Sequence, residues 1–208
     1  MTASPAPLPA RTGALLLAGG RGSRMGGQVK PLLELDGRTL LRRAVDAVRG
    51  CAPVTVVAPV LDAGLDGVVW VREEPPFGGP AAGVVAAVEA WRGDTEPAWT
   101  LLLACDLVRP DAVVALLGES AVPLGSDADG VCLVDGEGRP QWLAGLYRTA
   151  ALVRAALALP DAGQGASLRA LLGDLAITRV PAPSDTVADI DTWQDLDEAR
   201  LRAVEEES

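Results

Sequence analysis

Apolar and polar positions are grouped in blocks along the chain instead of alternating residue by residue. Short apolar runs at 14–18, 54–58, 68–71 and 99–105 have the length of buried strands, and they stop at Gly19, Pro59, Arg72 and Asp106. Between them the period lengthens. Residues 39–49 bring Leu40, Leu41, Ala44, Val45 and Val48 onto one helical face ahead of Gly50. Residues 83–91 predict a helix of small side chains, and Pro110 opens another through Leu117. The second half predicts strands at 130–134 and 142–147 around the turn Asp135-Gly136-Glu137-Gly138, helices at 149–159 and 167–172, a short strand at 177–180 and an amphipathic helix at 193–204. Such strand–helix alternation implies an α/β fold, a mainly parallel sheet covered by helices on both faces. No repeat or linker interrupts it. The expected organisation is one domain over 13–204 behind a flexible N-terminal tail over 1–12.

Composition removes several functions. The 208 residues are 49% hydrophobic and 22% charged, values of a globular chain with a real core. A net charge of −10 argues against non-specific binding to nucleic acid or anionic membranes, which needs positive charge. The longest uncharged stretch, 75–88, is too short to span a bilayer, and residues 1–12 lack the apolar core of a signal peptide. A soluble cytoplasmic protein with neither nucleic-acid nor membrane partners is expected. The absence of histidine excludes histidine bases and histidine-ligated metals. Cys51, Cys105 and Cys132 are widely spaced and read as small buried hydrophobes in a reducing compartment. Lys30 is the only lysine, in a composition that otherwise uses arginine.

Ligands of open α/β sheets bind beyond the carboxyl ends of the strands. The richest such end is Leu17-Ala18-Gly19-Gly20-Arg21-Gly22-Ser23-Arg24-Met25-Gly26-Gly27-Gln28-Val29-Lys30. Its five glycines can aim backbone N–H groups at an anion, and Arg21, Arg24 and Lys30 add positive charge, a combination suited to a triphosphate. It contains no Gly-Lys-Ser/Thr, and Met25 stands where a dinucleotide fingerprint needs glycine. The plain alternative is a flexible loop with solvated arginines.

This segment resembles the L-A-G-G-x-x-x-R-M-G-G-x-x-K signature of the molybdenum cofactor guanylyltransferases, within the wider MobA-like nucleotidyltransferases. Gly79-Pro80-Ala81-Ala82-Gly83 is similar to the family's G-P-L-A-G, Ala104-Cys105-Asp106 to its acidic strand end, and residues 189–196 to N-x-N/D-T-P-E-D-L. The resemblance implies a Rossmann-like three-layer sandwich. It also implies nucleotide contacts from Leu17, Ala18, Gly19 and Gly20, Lys30 near the α-phosphate and Arg24 near the leaving phosphates. Asp106 would bind Mg²⁺ and nucleotide, with Asp191, or else Asp189, as a second metal contact. The simpler readings are helix caps: Asp106 ahead of Pro110, and Asp191 ahead of the last helix.

Guanine presents N1–H and N2–H₂ donors that a carboxylate can recognise. Where the family has Asp before its G-P-L-A-G loop this chain has Glu73-Glu74, and Glu74 is the candidate, with a solvated loop acid as its alternative. Other departures are Ala58-Pro59 in place of an Asn, Val29 for Asp, Val108 for Pro and Trp193 for Pro. Gln141-Trp142 and Arg169 fall where relatives build the acceptor side, while the five tryptophans read as packing residues. The resemblance implies GTP and Mo-molybdopterin as substrates, and transient contact with molybdoenzymes or cofactor chaperones. A cytidylyltransferase, a transferase with another acceptor, and a catalytically silent nucleotide- or molybdopterin-binding module are the alternatives.

Overall fold

The computed structural model describes residues 7–19, 28–62, 64–93, 96–122 and 124–206. The strand β1 (Thr12–Leu17) is central. After it come the two-residue strands β2 (Glu34–Leu35) and β3 (Arg38–Thr39), helix α1 (Leu40–Ala47), and strands β4 (Val54–Val57) and β5 (Val68–Val71). Helix α2 (Pro80–Ala90), strand β6 (Trp99–Ala104), helix α3 (Pro110–Ala121), and strands β7 (Gly130–Val134) and β8 (Pro140–Arg148) follow. The chain ends with α4 (Thr149–Ala158), α5 (Leu168–Leu172), β9 (Ile177–Pro181) and α6 (Trp193–Glu206). The main sheet has the order β5-β4-β1-β6-β8-β7-β9, and among these strands β8 alone runs against the others. This is an α/β fold with a mainly parallel sheet between helical layers.

Side-chain alternation along the strands separates the two layers. Ala14, Leu16, Leu101 and Leu103 pack with Leu41 and Ala44 of α1 and Val113 and Leu117 of α3. Leu15, Leu102 and Cys132 point the other way, to Val84 and Val88 of α2, Leu152 of α4 and Leu171 of α5. A third cluster joins Leu35, Leu40, Ile190, Leu196 and Ala199, seating α6 against the β2–β3 hairpin. None of the helices among the described residues is long and apolar enough to cross a membrane.

Register positions the site. Leu17 stands opposite both Val57 and Ala104, so β1, β4 and β6 end level. From β1 the chain runs outward to β4 and β5, then returns across β1 to form β6. The crevice outside the carboxyl ends of β1 and β6 is thus the switch point where open α/β sheets hold ligands.

Several expectations need correction. Residues 68–71 form an edge strand with Val69 half exposed, not a buried one. Helix α2 begins at Pro80, three residues earlier than expected, because proline suits a first helical position and Gly79 supplies the positive φ of 93° before it. The boundary drawn at residue 12 falls inside packed structure: Thr12 opens β1, its hydroxyl donates to Pro9 O, and Leu8 packs on the core. Trp91 is buried and donates to Thr55 Oγ1, as a packing residue should, but Trp193 is 47% exposed.

Helix α2 lies close on the sheet because Gly83 has no side chain; a Cβ there would stand 2.8 Å from Val57 Cγ1. Gly83→Ala gains about 1 kcal/mol of helix propensity and incurs about 1–3 kcal/mol of overpacking against a β-branched neighbour that cannot swing away. A net loss of about 1 kcal/mol is expected in urea denaturation. In the Gly83→Ala/Val57→Ala pair, the combined loss should be smaller than the sum of the single losses.

Candidate active site

Asp106 follows β6 directly. The Cys105 N–H donates to Leu17 O at 3.1 Å and extends the β1–β6 ladder by one step before the chain turns away. The segment ahead of α6 then returns antiparallel to it. Val108 N–H donates to Ala188 O, Ile190 N–H donates to Asp106 O, both at 2.9 Å, and Leu107 bridges Asp189. Ile190 is fully buried in the third cluster, so the period-two alternation of an extended segment turns Asp189 and Asp191 outward on its other side. Carboxylate oxygens of Asp106, Asp189 and Asp191 lie within 4.8 Å of one another.

Lys30 completes the group. It starts a 3-10 turn, Lys30–Leu32, closed by Leu32 N–H to Val29 O and anchored by the buried ring of Pro31. Its ammonium donates to Asp106 Oδ2 at 2.8 Å and to Asp191 Oδ1 at 2.7 Å, and its side chain is only 18% exposed. Burial disfavours the charged amine, but the hydrogen bonds and negative charges of Asp106 and Asp191 outweigh that cost and raise its pKa above the ordinary 10.5. Lys30 is thus a paired and largely buried charge. For Asp189, loss of solvent, then the charges of Asp106 and Asp191, hold the carboxyl above the usual aspartate range.

The helix-cap readings fail. The cap position of α3 is Arg109, which makes no side-chain capping bond, so Asp106 is not the cap. Ahead of α6, Asp195 Oδ2 accepts from the N–H groups of Asp191 and Thr192 at 2.9 and 2.7 Å, and Thr192 Oγ1 accepts from Asp195 N–H. This is the reciprocal arrangement of a capping box, and it leaves the Asp191 carboxylate to face Lys30. The signal was Thr192-x-x-Asp195. Sequence reading also passed over Arg43 of α1, whose guanidinium donates to Val108 O at 2.9 Å and approaches Asp36 Oδ2 at 3.5 Å. Arg43 thereby ties the loop after Asp106 to α1 and to the β2–β3 turn.

The remaining candidates are more scattered. Gly20 and Arg24, with Arg21, lie outside the described residues. Leu17, Ala18 and Gly19 stand at the level edge, with Leu17 O and Ala18 N–H taken up by Cys105 and Val57. Glu74 is exposed in the connection from β5 to α2. Its neighbour Glu73 accepts from Phe77 N–H and shapes that connection, which Gly165 N–H and Gln164 Nε2 also hold through Gly78 O and Pro75 O. Three strand spacings separate β5 from β6, about 14 Å, so Glu74 shares the sheet edge but stands apart from the carboxylates. Gln141 is engaged by Asp135 in the β7–β8 turn, and Arg169 is exposed on α5. The three cysteines are buried free thiols; burial pushes Cys51 and Cys132 up to about 11.

Comparison with known proteins agrees with this geometry. Residues 14–179 match the model of the MobA-like NTP transferase domain. A protein of Bradyrhizobium sp. strain ORS 278 named molybdenum cofactor guanylyltransferase is 30% identical over 92% of this chain and 93% of its own length. One of the same name from Pseudomonas putida strain GB-1 is 38% identical, in a match spanning 48% of this chain and about half, 52%, of that relative. Among solved structures, molybdopterin-guanine dinucleotide biosynthesis protein A of Archaeoglobus fulgidus superimposes with a TM-score of 0.64 at 19% identity, over 92% of this chain and 98% of its own. With the family model covering most of the sequence and the level strand ends carrying its acidic and basic residues, the chain belongs to the MobA-like NTP transferase family.

Proposed function

We propose that this protein is a Mg²⁺-dependent guanylyltransferase that moves GMP from GTP to the phosphate of Mo-molybdopterin, giving the guanine dinucleotide cofactor and pyrophosphate. The observation that carries this reading is the meeting of Lys30, Asp106 and Asp191 at the switch point of a MobA-like fold. The near full-length relative bearing that activity in its name supports the choice of substrates.

The residues suit the metal. Mg²⁺ takes oxygen ligands, and Asp106, Asp189 and Asp191 offer three carboxylates within 4.8 Å of one another. When bound, the ion neutralises charge on the phosphate oxygens. Asp106 and Asp191 would hold it, with Asp189 as a further ligand, and Asp106 would face the nucleotide as well. Since Leu17 O and Ala18 N–H already serve the sheet, the nucleotide would meet the Ala18 carbonyl and the Gly19 and Gly20 peptides. Glu74, at the far end of the same edge, would accept from guanine. Lys30 would steady the α-phosphate and Arg24 the departing pyrophosphate.

An acceptor phosphate oxygen attacks the α-phosphorus, a new P–O bond forms, and the bond from the α-phosphorus to the bridging oxygen breaks with its electrons leaving on pyrophosphate. The nucleophile is already ionised near neutrality, so no proton need be removed, which fits a chain without histidine. Catalysis then consists of alignment and electrostatic stabilisation.

Incubation with molybdopterin, Mg²⁺ and each of GTP, CTP and ATP tests the reading, with the dinucleotide product identified by mass. GTP alone should give product. Product from CTP would make the protein a cytidylyltransferase, and binding without transfer would make it a silent module. Asp106→Asn should lower turnover by orders of magnitude while the fold and metal-free nucleotide affinity persist; unchanged turnover would move the metal elsewhere. Calorimetry should show Glu74→Ala weakening GTP by about 1–3 kcal/mol and leaving CTP unaffected, the loss expected when guanine donors go unpaired.

A further inference from the structure

We infer that Lys30 is an internal stand-in for the metal: its ammonium fills the Asp106–Asp191 pair in the ion-free protein and has to leave both carboxylates, toward the triphosphate, when a divalent cation enters. This rests on the metal reading above and goes beyond it, because it couples the metal to the nucleotide. The amine is hydrogen-bonded at 2.8 and 2.7 Å to two of the three carboxylates that would ligate the ion. A small hard cation needs those oxygens at about 2.1 Å in its own shell. An ammonium held by two of the three carboxylates competes with the ion for their lone pairs and their charge.

Charge sets the direction. Three carboxylates and one ammonium carry a formal charge of about −2. A divalent ion added beside a retained ammonium meets a repelling positive charge a few ångströms away, in a setting only partly screened by solvent. A triphosphate offers the displaced amine a new anionic partner. Metal and nucleotide then each remove the obstacle to the other, so their binding is mutually reinforcing. The chain is built for such an exchange: Pro31 and the bonds of the Lys30–Leu32 turn fix the backbone, leaving a flexible four-carbon stem as the moving part.

Mn²⁺ binding without nucleotide, measured by loss of the free-ion electron paramagnetic resonance signal, tests this. Lys30→Met removes the charge at similar length and should bind Mn²⁺ at least about tenfold tighter than wild type, allowing for solvent screening, whereas Lys30→Arg should stay near wild type. Equal or weaker binding by Lys30→Met overturns the exchange. Because that variant leaves the carboxylates unpaired, a second measurement uses the wild-type chain. Lys30 is its only lysine, so acetylation there can be mapped against the N-terminal amine as internal control. Mn²⁺ alone should speed Lys30 acetylation several-fold, and Mn²⁺ with a non-hydrolysable GTP analogue should slow it again; a rate unmoved or lowered by Mn²⁺ alone overturns the proposal. Asp106→Asn separates the two levels. If it abolishes Mn²⁺ binding while Lys30→Met fails to tighten it, only the exchange is wrong; if Mn²⁺ affinity survives Asp106→Asn, the metal site itself falls and the exchange with it.

Discussion

Mutual repulsion among Asp106, Asp189 and Asp191 is the constraint to which the surrounding structure answers. Two carboxylates within 4.8 Å of each other repel by at least about 1 kcal/mol in water and at least about 3.5 kcal/mol at a dielectric typical of a protein surface. The returning segment is held against this by main-chain bonds from Val108 and Ile190, each worth about 0.5–1.5 kcal/mol net, and by burial of Ile190, worth about 1.5–3 kcal/mol. Those gains are comparable to the repulsion of a single pair, and three carboxylates make three pairs, so the counter-charge of Lys30 matters. Arg43 and Asp195 fix the two ends of the arrangement, one through Val108 O and the other through the N–H groups of Asp191 and Thr192.

The sheet supplies the rigid frame on which these charges are mounted. Because Leu17, Val57 and Ala104 are in register, the residues that follow them emerge at one height. Ala18 N–H and Cys105 N–H are spent on extending the ladder, through Val57 O and Leu17 O, so the edge is stiff up to the residue before each functional group. Gly83 lets α2 approach β4 closely and thereby sets the position of the Gly79–Pro80 turn on the same edge. Packing places the edge, and the edge places the chemistry.

What the sequence made legible follows the same physics. The runs that became β1, β4 and β6 were plain because strands covered on both faces are continuously apolar, and Asp106 was plain because it ends one of them. The edge position of β5 was not, since four apolar residues look alike whether one or two strands flank them. The β2–β3 hairpin escaped notice although Asp36-Gly37, with φ of 54° and 71°, is a strong turn signal; two-residue strands are too short to show a period. Strand β8 was read as starting at Trp142 because its pairing with β7 slips between Cys132 and Leu133, which breaks the alternation there. At the site, Asp189 and Asp191 share a face by period two, so spacing alone could not choose between them. The partnership of Lys30 with Asp191, 161 residues away, could come only from the fold.

The basic group at this edge, Lys30, is one whose charge does not change near neutrality. Its two carboxylate partners hold its pKa above the ordinary 10.5. Histidine, the side chain that ordinarily titrates near neutrality, is absent from the chain. On the proposed reading the site need not move a proton, because a reaction that displaces pyrophosphate with a phosphate oxygen does not ask it to. What it can do is present fixed charges to a polyanion, and choose among polyanions by where along the sheet edge their charges and donors fall. On the proposed reading, discrimination thus belongs to Glu74, beyond a strand three places along the sheet from β6, and acceleration to the few ångströms among Lys30, Asp106 and Asp191. On that reading the two demands fall on different loops of one rigid edge, so that a change at Glu73-Glu74 would bear on the base and leave Lys30, Asp106 and Asp191 in place.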